Sequence, residues 1–199
     1  MRRPAGQTAL ATLLLLAPPP SYALEFTAVL SGPAEFFPIA SPGTGLADVI
    51  IDPVAHTMRV RVTFSGLLAP TTSSHIQCCT AGPGTGTAGV ATPFASFPPG
   101  VTSGTYDQTF DMTLASSYNP AFVTANGGTP TSAEAFLDAG ISADEAYLNI
   151  HTTLFPGGEI RGFLTPAAVP EPATFGLLAL GITALGVGVR RRRAERPEG

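Results

Sequence analysis

The residues best suited to chemistry lie in three short stretches: Ser74-His75-Ile76-Gln77, Tyr147-Leu148-Asn149-Ile150-His151 and Glu159-Ile160-Arg161. In extended backbone alternate side chains point to opposite faces. Ile76 and Cys78 then share a core side, and His75, Gln77 and Cys79 share the other. Leu148 and Ile150 point to the core, while Tyr147, Asn149 and His151 point away. With Ile160 and Leu164 in the core, Glu159 and Arg161 fall on the side of His151. Neighbouring strands would gather His75, Gln77, Asn149, His151, Glu159 and Arg161 into one polar cluster. Two histidines and a carboxylate are a ligand set for zinc or non-haem iron, with His75 and His151 as the candidate ligands. The same residues equally form a hydrogen-bonded network that pins strand register. The network is the preferred assignment, because the amide of Gln77 is a poor ligand for those metals. No cofactor and no catalytic residue is expected.

Other chemistries find less support. There is no Gly-x-Ser-x-Gly nucleophile elbow, and the Gly82–Gly89 stretch lacks the Lys-Ser/Thr of a phosphate-binding loop. His56 follows an Asp52-Pro53 turn and is expected in solvent. The two cysteines, Cys78 and Cys79, are adjacent, without zinc-ribbon or Cys-x-x-Cys spacing. Cα atoms of trans neighbours lie 3.8 Å apart, closer than ordinary disulfides prefer, so a vicinal bond needs a distorted peptide. Free thiols or bonds between chains are the alternatives. The vicinal disulfide is favoured, since free thiols are a liability in an oxidising compartment.

The elements that must position these residues read as short strands. Phe26–Leu30 is apolar. Gly45–Ile51 alternates in part and turns at Asp52-Pro53. Thr57–Phe64 places Met58, Val60, Val62 and Phe64 on one side, so these two segments read as a hairpin. Further strands are expected at His75–Cys79, Thr109–Leu114 (with Phe110, Met112 and Leu114 inward), Ala146–His151 and Glu159–Leu164. Phe155-Pro156-Gly157-Gly158 has the composition of a hairpin loop. A five-residue loop, Phe155–Glu159, would pair Leu154 with Ile160 and Ile150 with Leu164, and put Ile150 and Ile160 both in the core. One short helix is expected over Ala133–Ala139, capped by Ser132 and ended by Gly140. Thr80–Gly104 reads as a long loop, with a flexible linker as the alternative, though no charge run or repeat supports a second domain. With 22 Gly and 20 Pro in 199 residues, long helices are disfavoured. The fold class is all-β, an antiparallel sandwich with one short helix, plus a C-terminal transmembrane helix.

Charge is segregated along the chain. The stretch 24–165 holds Arg59, Arg61 and Arg161 against eleven acids, which leaves −8. Such a domain repels phosphate backbones, so nucleic acid is excluded as a partner. Arg2 and Arg3, an apolar run from Ala9 to Ala17 and Ser21-Tyr22-Ala23 form an export leader over 1–23, cut by signal peptidase to leave Leu24 first. At the other end, 173–189 runs without a charge and is about 25 Å long as a helix, near the lower limit for a bilayer. Arg190, Arg191, Arg192 and Arg193 follow. By the positive-inside rule the tail 190–199 stays in the cytoplasm and the domain lies outside.

Two resemblances follow from these residues. Pro170-Glu171-Pro172 in the linker 166–172, the apolar helix and the Arg190–Arg193 block together resemble the PEP-CTERM sorting signal of Gram-negative bacteria. That resemblance implies recognition by the membrane protease-transpeptidase exosortase. The His75 segment after Thr63-Phe64-Ser65-Gly66-Leu67, and the Ala146–Thr152 segment followed by Phe155–Gly162, resemble the CHRD domain, named from chordin, over 24–165. Gln77 departs from the His-Ile-His of that pattern. The resemblance implies an extracellular β-sandwich module and does not imply an enzyme, and none is expected. The expected protein is an inner-membrane-anchored precursor that passes to the cell envelope or outside, with exopolysaccharide or matrix components as candidate partners. Its expected role is structural or binding. The alternative is a metal-binding protein or enzyme using His75, His151 and Glu159.

Overall fold

The computed structural model describes residues 23–167. The expected leader, except Ala23, the Pro170-Glu171-Pro172 motif, the apolar segment 173–189 and the basic tail lie outside the described residues. Nine strands form one antiparallel sheet: β1 Leu24–Ser31, β2 Thr44–Asp52, β3 Thr57–Ser65, β4 Thr71–Gln77, β5 Val90–Pro93, β6 Gly104–Asp111, β7 Tyr147–Thr152, β8 Ile160–Phe163 and β9 Thr165–Pro166. Their spatial order is β5-β4-β7-β8-β1-β2-β3-β6, with β9 also on β1. The sheet closes on itself around its apolar face. Phe94, just after β5, stacks on Tyr106 of β6 at 5.2 Å and lies 5.9 Å from Phe110, so the two sheet edges meet across the core. The all-β antiparallel class read from the sequence is the class observed. Among the described residues, no helix is long and apolar enough to cross a membrane.

The β2–β3 hairpin shows why the alternation decides the fold. Val49 pairs with Val60 and Ala47 with Val62, and all four are buried while Arg59 and Arg61 face water. Each buried valine contributes roughly 1.5–3 kcal/mol by leaving water. Asp52 fixes the turn by accepting from the backbone N–H groups of Val54 and Ala55.

Several boundaries differ from expectation. β6 ends at Asp111. Met112 is still buried, but Leu114 is 52% exposed, because the Asp111 carboxylate captures the Thr113 amide and hydroxyl and turns the chain. β4 starts at Thr71 and stops before the cysteines. The 80–104 stretch is not a featureless loop: it contains β5 and buries Phe94 and Phe97.

The expected helix is longer, α2 Pro130–Ser142. Its N-cap is Thr129, whose hydroxyl accepts from the Ser132 amide while the Ser132 hydroxyl accepts from the Thr129 amide. Ser132 is thus inside the first turn. Gly140 does not end the helix. It lies inside it because a Cβ there would collide with both sulfurs of Cys78 and Cys79. A second helix, α1 Pro120–Ala125, precedes it, capped by Asn119.

The final hairpin keeps its faces but not its pairing. Ile150 and Ile160 are both fully buried, yet they pair with each other rather than with Leu164 and Leu154. The end of β7 stays on β4, with Thr152 opposite Thr71 and the Thr153 amide on the Pro70 carbonyl. Residues 151–159 therefore separate the two paired isoleucines, the first two of them still in β7 on β4, and Leu154 is 60% exposed. The connecting span is still odd, which preserves the facing of both isoleucines.

Candidate functional site

Strands β4 and β7 are direct neighbours, with His75 opposite Asn149 and Gln77 opposite Tyr147. β8 lies on the other side of β7 and sets Arg161 opposite Asn149. This face points away from the core, yet loops cover it, so Tyr147, Asn149, His151 and Arg161 are all buried. The covering segments carry Glu35 and Ala34, Gly86 and Pro156, each of which reaches one of these side chains.

Hydrogen bonds give the histidine half of the cluster a direction. His151 Nδ1 lies 3.0 Å from the Pro156 carbonyl, which only accepts, so this nitrogen carries the proton. His151 Nε2 is then the acceptor, for His75 Nδ1 at 3.3 Å and Gln77 Nε2 at 3.4 Å. Gln77 Oε1 accepts from the Tyr147 hydroxyl at 2.6 Å. Burial, and then the neighbouring His151, holds the His75 ring down to about 4. Burial also lowers His151, against the pull of the Pro156 carbonyl. The accepting Nε2 requires a neutral His151, and burial keeps the His75 ring neutral at pH 7.

Glu159 does not join the histidines. It is fully buried, and its carboxylate accepts from Ser41 Oγ at 2.6 Å, the Leu68 amide at 2.6 Å and Thr152 Oγ1 at 2.8 Å. These bonds clamp the β3–β4 connection and the segment before β2 to the last hairpin. The His75/His151/Glu159 ligand set is therefore corrected: the carboxylate is committed elsewhere. Among the described residues, no group of three or more His, Cys, Asp or Glu is placed to hold a metal ion.

The acid that does enter the site is Glu35, in the β1–β2 connection. It is 8% exposed, and its Oε2 lies 3.9 Å from Arg161 Nε. Burial pushes its carboxyl up to about 7, against Arg161, the Asn149 side chain and the Phe36 amide, which pull it down. Arg161 donates to the Ala34 carbonyl at 2.6 Å and the Gly86 carbonyl at 2.9 Å, and its guanidinium lies 4.8 Å from the Tyr147 ring centre and 5.5 Å from that of Phe163. A cavity of about 400 Å³ opens over these residues, walled by Glu35, Tyr147, Asn149 and Arg161, and by Phe36, Phe37 and the 154–158 loop. Glu35 stands alone among the acids between Glu25 and Asp48, beside Phe36-Phe37. That pairing of a lone acid with two aromatics was its only mark in the sequence.

Away from this face, the sulfurs of Cys78 and Cys79 are bonded to each other and pack on Gly140 of α2. His56, expected in solvent, is half exposed but its Nδ1 lies 2.9 Å from the buried carboxylate of Glu134.

Comparison with known proteins gives two family matches. The model of the PEP-CTERM protein-sorting motif matches residues 168–193, which marks an exported, membrane-anchored precursor that exosortase processes. No curated protein and no solved structure matches the chain. The model of the CHRD domain, not known as an enzyme family, matches residues 26–164, which run from within β1 past the end of β8 and include Glu35, His75, His151 and Arg161. By that match the chain belongs to the CHRD domain family.

Proposed function

We propose that this chain is a surface or extracellular-matrix module of a Gram-negative bacterium, in which the β domain has a structural or binding role and no catalytic one. Residues 1–23 are the leader, 24–165 the module, 166–172 the linker with Pro170-Glu171-Pro172, 173–189 the temporary membrane helix and 190–199 the cytoplasmic tail. The observation that carries this reading is the order of the two matches, a β domain followed directly by a sorting motif. The polar face supports it. The histidine pair is closed by hydrogen bonds to Pro156 and Gln77, and Gln77 is held in turn by the Tyr147 hydroxyl, an arrangement that fixes loops onto the sheet and leaves no activated nucleophile. The acidity of the module keeps it off nucleic acids and suits a hydrated matrix.

The test is the double variant Pro170→Ala, Glu171→Ala in the native host. It should remain uncleaved in the inner membrane while the wild type leaves it. Normal processing of the variant would reduce the C-terminus to a plain anchor. Metal analysis of the purified chain addresses the rival class: stoichiometric zinc or iron held through dialysis would replace the binding-module reading with a metalloprotein.

A further inference from the structure

The sheet ends on two edge strands, and they are protected unequally. β5 is four residues long, ends in Pro93, pairs with β4 across a register shift and gives its Ala91 carbonyl to the Asn119 amide at 2.8 Å. Short length, proline, irregular register and a covering loop all keep an edge from pairing with another chain. β6, at the other end, is eight residues long, pairs with β3 without a shift and holds no proline or lysine.

The Met112 amide donates to the His56 carbonyl at 2.8 Å, which fixes the parity of β6. In an antiparallel ladder, bonded pairs alternate with unbonded ones. Phe110, Gln108 and Tyr106 therefore exchange their backbone bonds with β3, while Thr109, Asp107 and Thr105 turn N–H and C=O groups outward. Among the described residues, no backbone group meets these three on that side, and the Thr109 carbonyl is covered only by Nε2 of its neighbour Gln108 at 2.9 Å. Thr105, Asp107, Gln108 and Thr109 are all exposed. Gln108 belongs to the core-facing row between the buried Tyr106 and Phe110, so its exposure marks where the cover of the core stops short of this edge.

The side chains show what the edge fits. Reversed about Gln108, the segment Thr105-Tyr106-Asp107-Gln108-Thr109-Phe110-Asp111 matches itself: threonine meets aspartate, tyrosine meets phenylalanine and glutamine meets glutamine. A second β6 laid antiparallel about that centre sets Asp107 opposite Thr109 of the other copy, and Thr105 opposite Asp111. Each carboxylate then faces a hydroxyl donor, and no acid faces an acid. The residues that turn backbone groups outward become the bonded pairs, as the parity requires. Centring on Asp107 instead would set that carboxylate against itself, which like charges disfavour. Asp107 also arrives neutralised, since its two oxygens hold Arg59 at 2.9 and 2.7 Å. The Thr113 bonds engage only Oδ1 of Asp111.

We propose that two copies of this chain join edge to edge through β6, antiparallel and centred on Gln108, so that one sheet runs through both domains. The same patch serves on each copy, so the assembly closes as a dimer.

The test is oxidative cross-linking of the full chain in membranes of its native host. Cys78 and Cys79 are bonded to each other, so an introduced cysteine reports alone. Gln108→Cys places two thiols opposite each other at the axis, in an unbonded pair where side chains lie closest. Copper-phenanthroline should then give a disulfide-linked dimer of the chain on a non-reducing gel. Ala135→Cys, exposed on α2, should stay monomeric. Adding Thr109→Asp to Gln108→Cys sets two acid–acid pairs in the ladder and should lower the dimer yield about tenfold, with an unchanged thermal melt. Thr109→Lys, which would face Asp107 of the other copy, should keep the yield. Equal yields from Gln108→Cys and Ala135→Cys would overturn the proposal. So would a yield indifferent to Thr109→Asp, or cross-linking of position 108 only to a chain of different mass, which would make this edge a site for a foreign strand.

Discussion

Two groups of the polar face titrate in opposite senses, and separating them is the sharpest check on the site. The Glu35 carboxyl is raised from an ordinary 4.5 to about 7 by burial. Between those values the folded chain holds a proton that the unfolded chain has lost, so stability falls as pH rises through the window. His75 is lowered from 6.5 to about 4, by burial and then by His151. Between pH 6.5 and 4 the unfolded chain holds the proton and the folded one does not, so stability falls as pH drops. A displacement of one pH unit is worth about 1.4 kcal/mol, which makes the Glu35 effect about 3 kcal/mol. Water reaches part of the His75 ring, and its effect is set lower, at about 2 kcal/mol. In the wild type the two slopes oppose each other between pH 4.5 and 6.5. Glu35→Gln removes one and His75→Gln the other. The assay is urea unfolding of the full chain in detergent across pH 4 to 8, followed by tyrosine fluorescence, since the chain has four Tyr and no Trp. The Glu35→Gln variant should gain on the wild type by about 3 kcal/mol as pH rises from 4.5 to 7. The His75→Gln variant should gain by about 2 kcal/mol as pH falls from 6.5 to 4. Asp138, raised to about 6 by burial and then by Glu134, titrates alike in all three proteins and cancels in the differences. Variants that run parallel to the wild type at every pH would refute the buried geometry of both groups.

The remaining chemistry on this face is also measurable. His151→Ala strands the Pro156 carbonyl and the donors of His75 and Gln77, and should cost about 1–3 kcal/mol by thermal melt, equally with and without chelator. A chelator that destabilises the wild type as much as the mutation does would instead establish a metal site. Glu159→Ala, which strands Ser41, the Leu68 amide and Thr152, should cost about 3 kcal/mol or more, whereas Glu159→Gln keeps acceptor capacity and should cost about 1 kcal/mol. Equal losses for the two would mean that the carboxylate does not organise those bonds.

The sequence was most legible where one periodicity governed the packing. Met58, Val60, Val62 and Phe64 alternate with charged or hydroxylated residues, and each is buried where the period of two puts it. The facing of Ile76, Leu148, Ile150 and Ile160 followed from the same rule, and so did the meeting of His75 with His151 once β4 and β7 were neighbours. Loops carry no such period. Glu35 reaches Arg161 from the β1–β2 connection, and the Pro156 carbonyl reaches His151 from the last hairpin, through chain paths that no local pattern encodes. Glu159 was misplaced for the same reason: its partners Ser41 and Leu68 lie far away in sequence, and alternation says nothing of them. Strand ends were misjudged where side chains capture backbone, as Asp111 does at Thr113. The helix is capped at Thr129 rather than Ser132, with Pro130 in the first helical position, which proline suits.

The most direct test of export and sorting is the intact mass of the chain recovered from the envelope of its native host. The account predicts a mature protein that begins at Leu24 and ends before the apolar segment at Ala173, so that Arg190 to Arg193 are gone. A recovered chain that still carries Arg2 and Arg3, or still carries the four arginines, would contradict it.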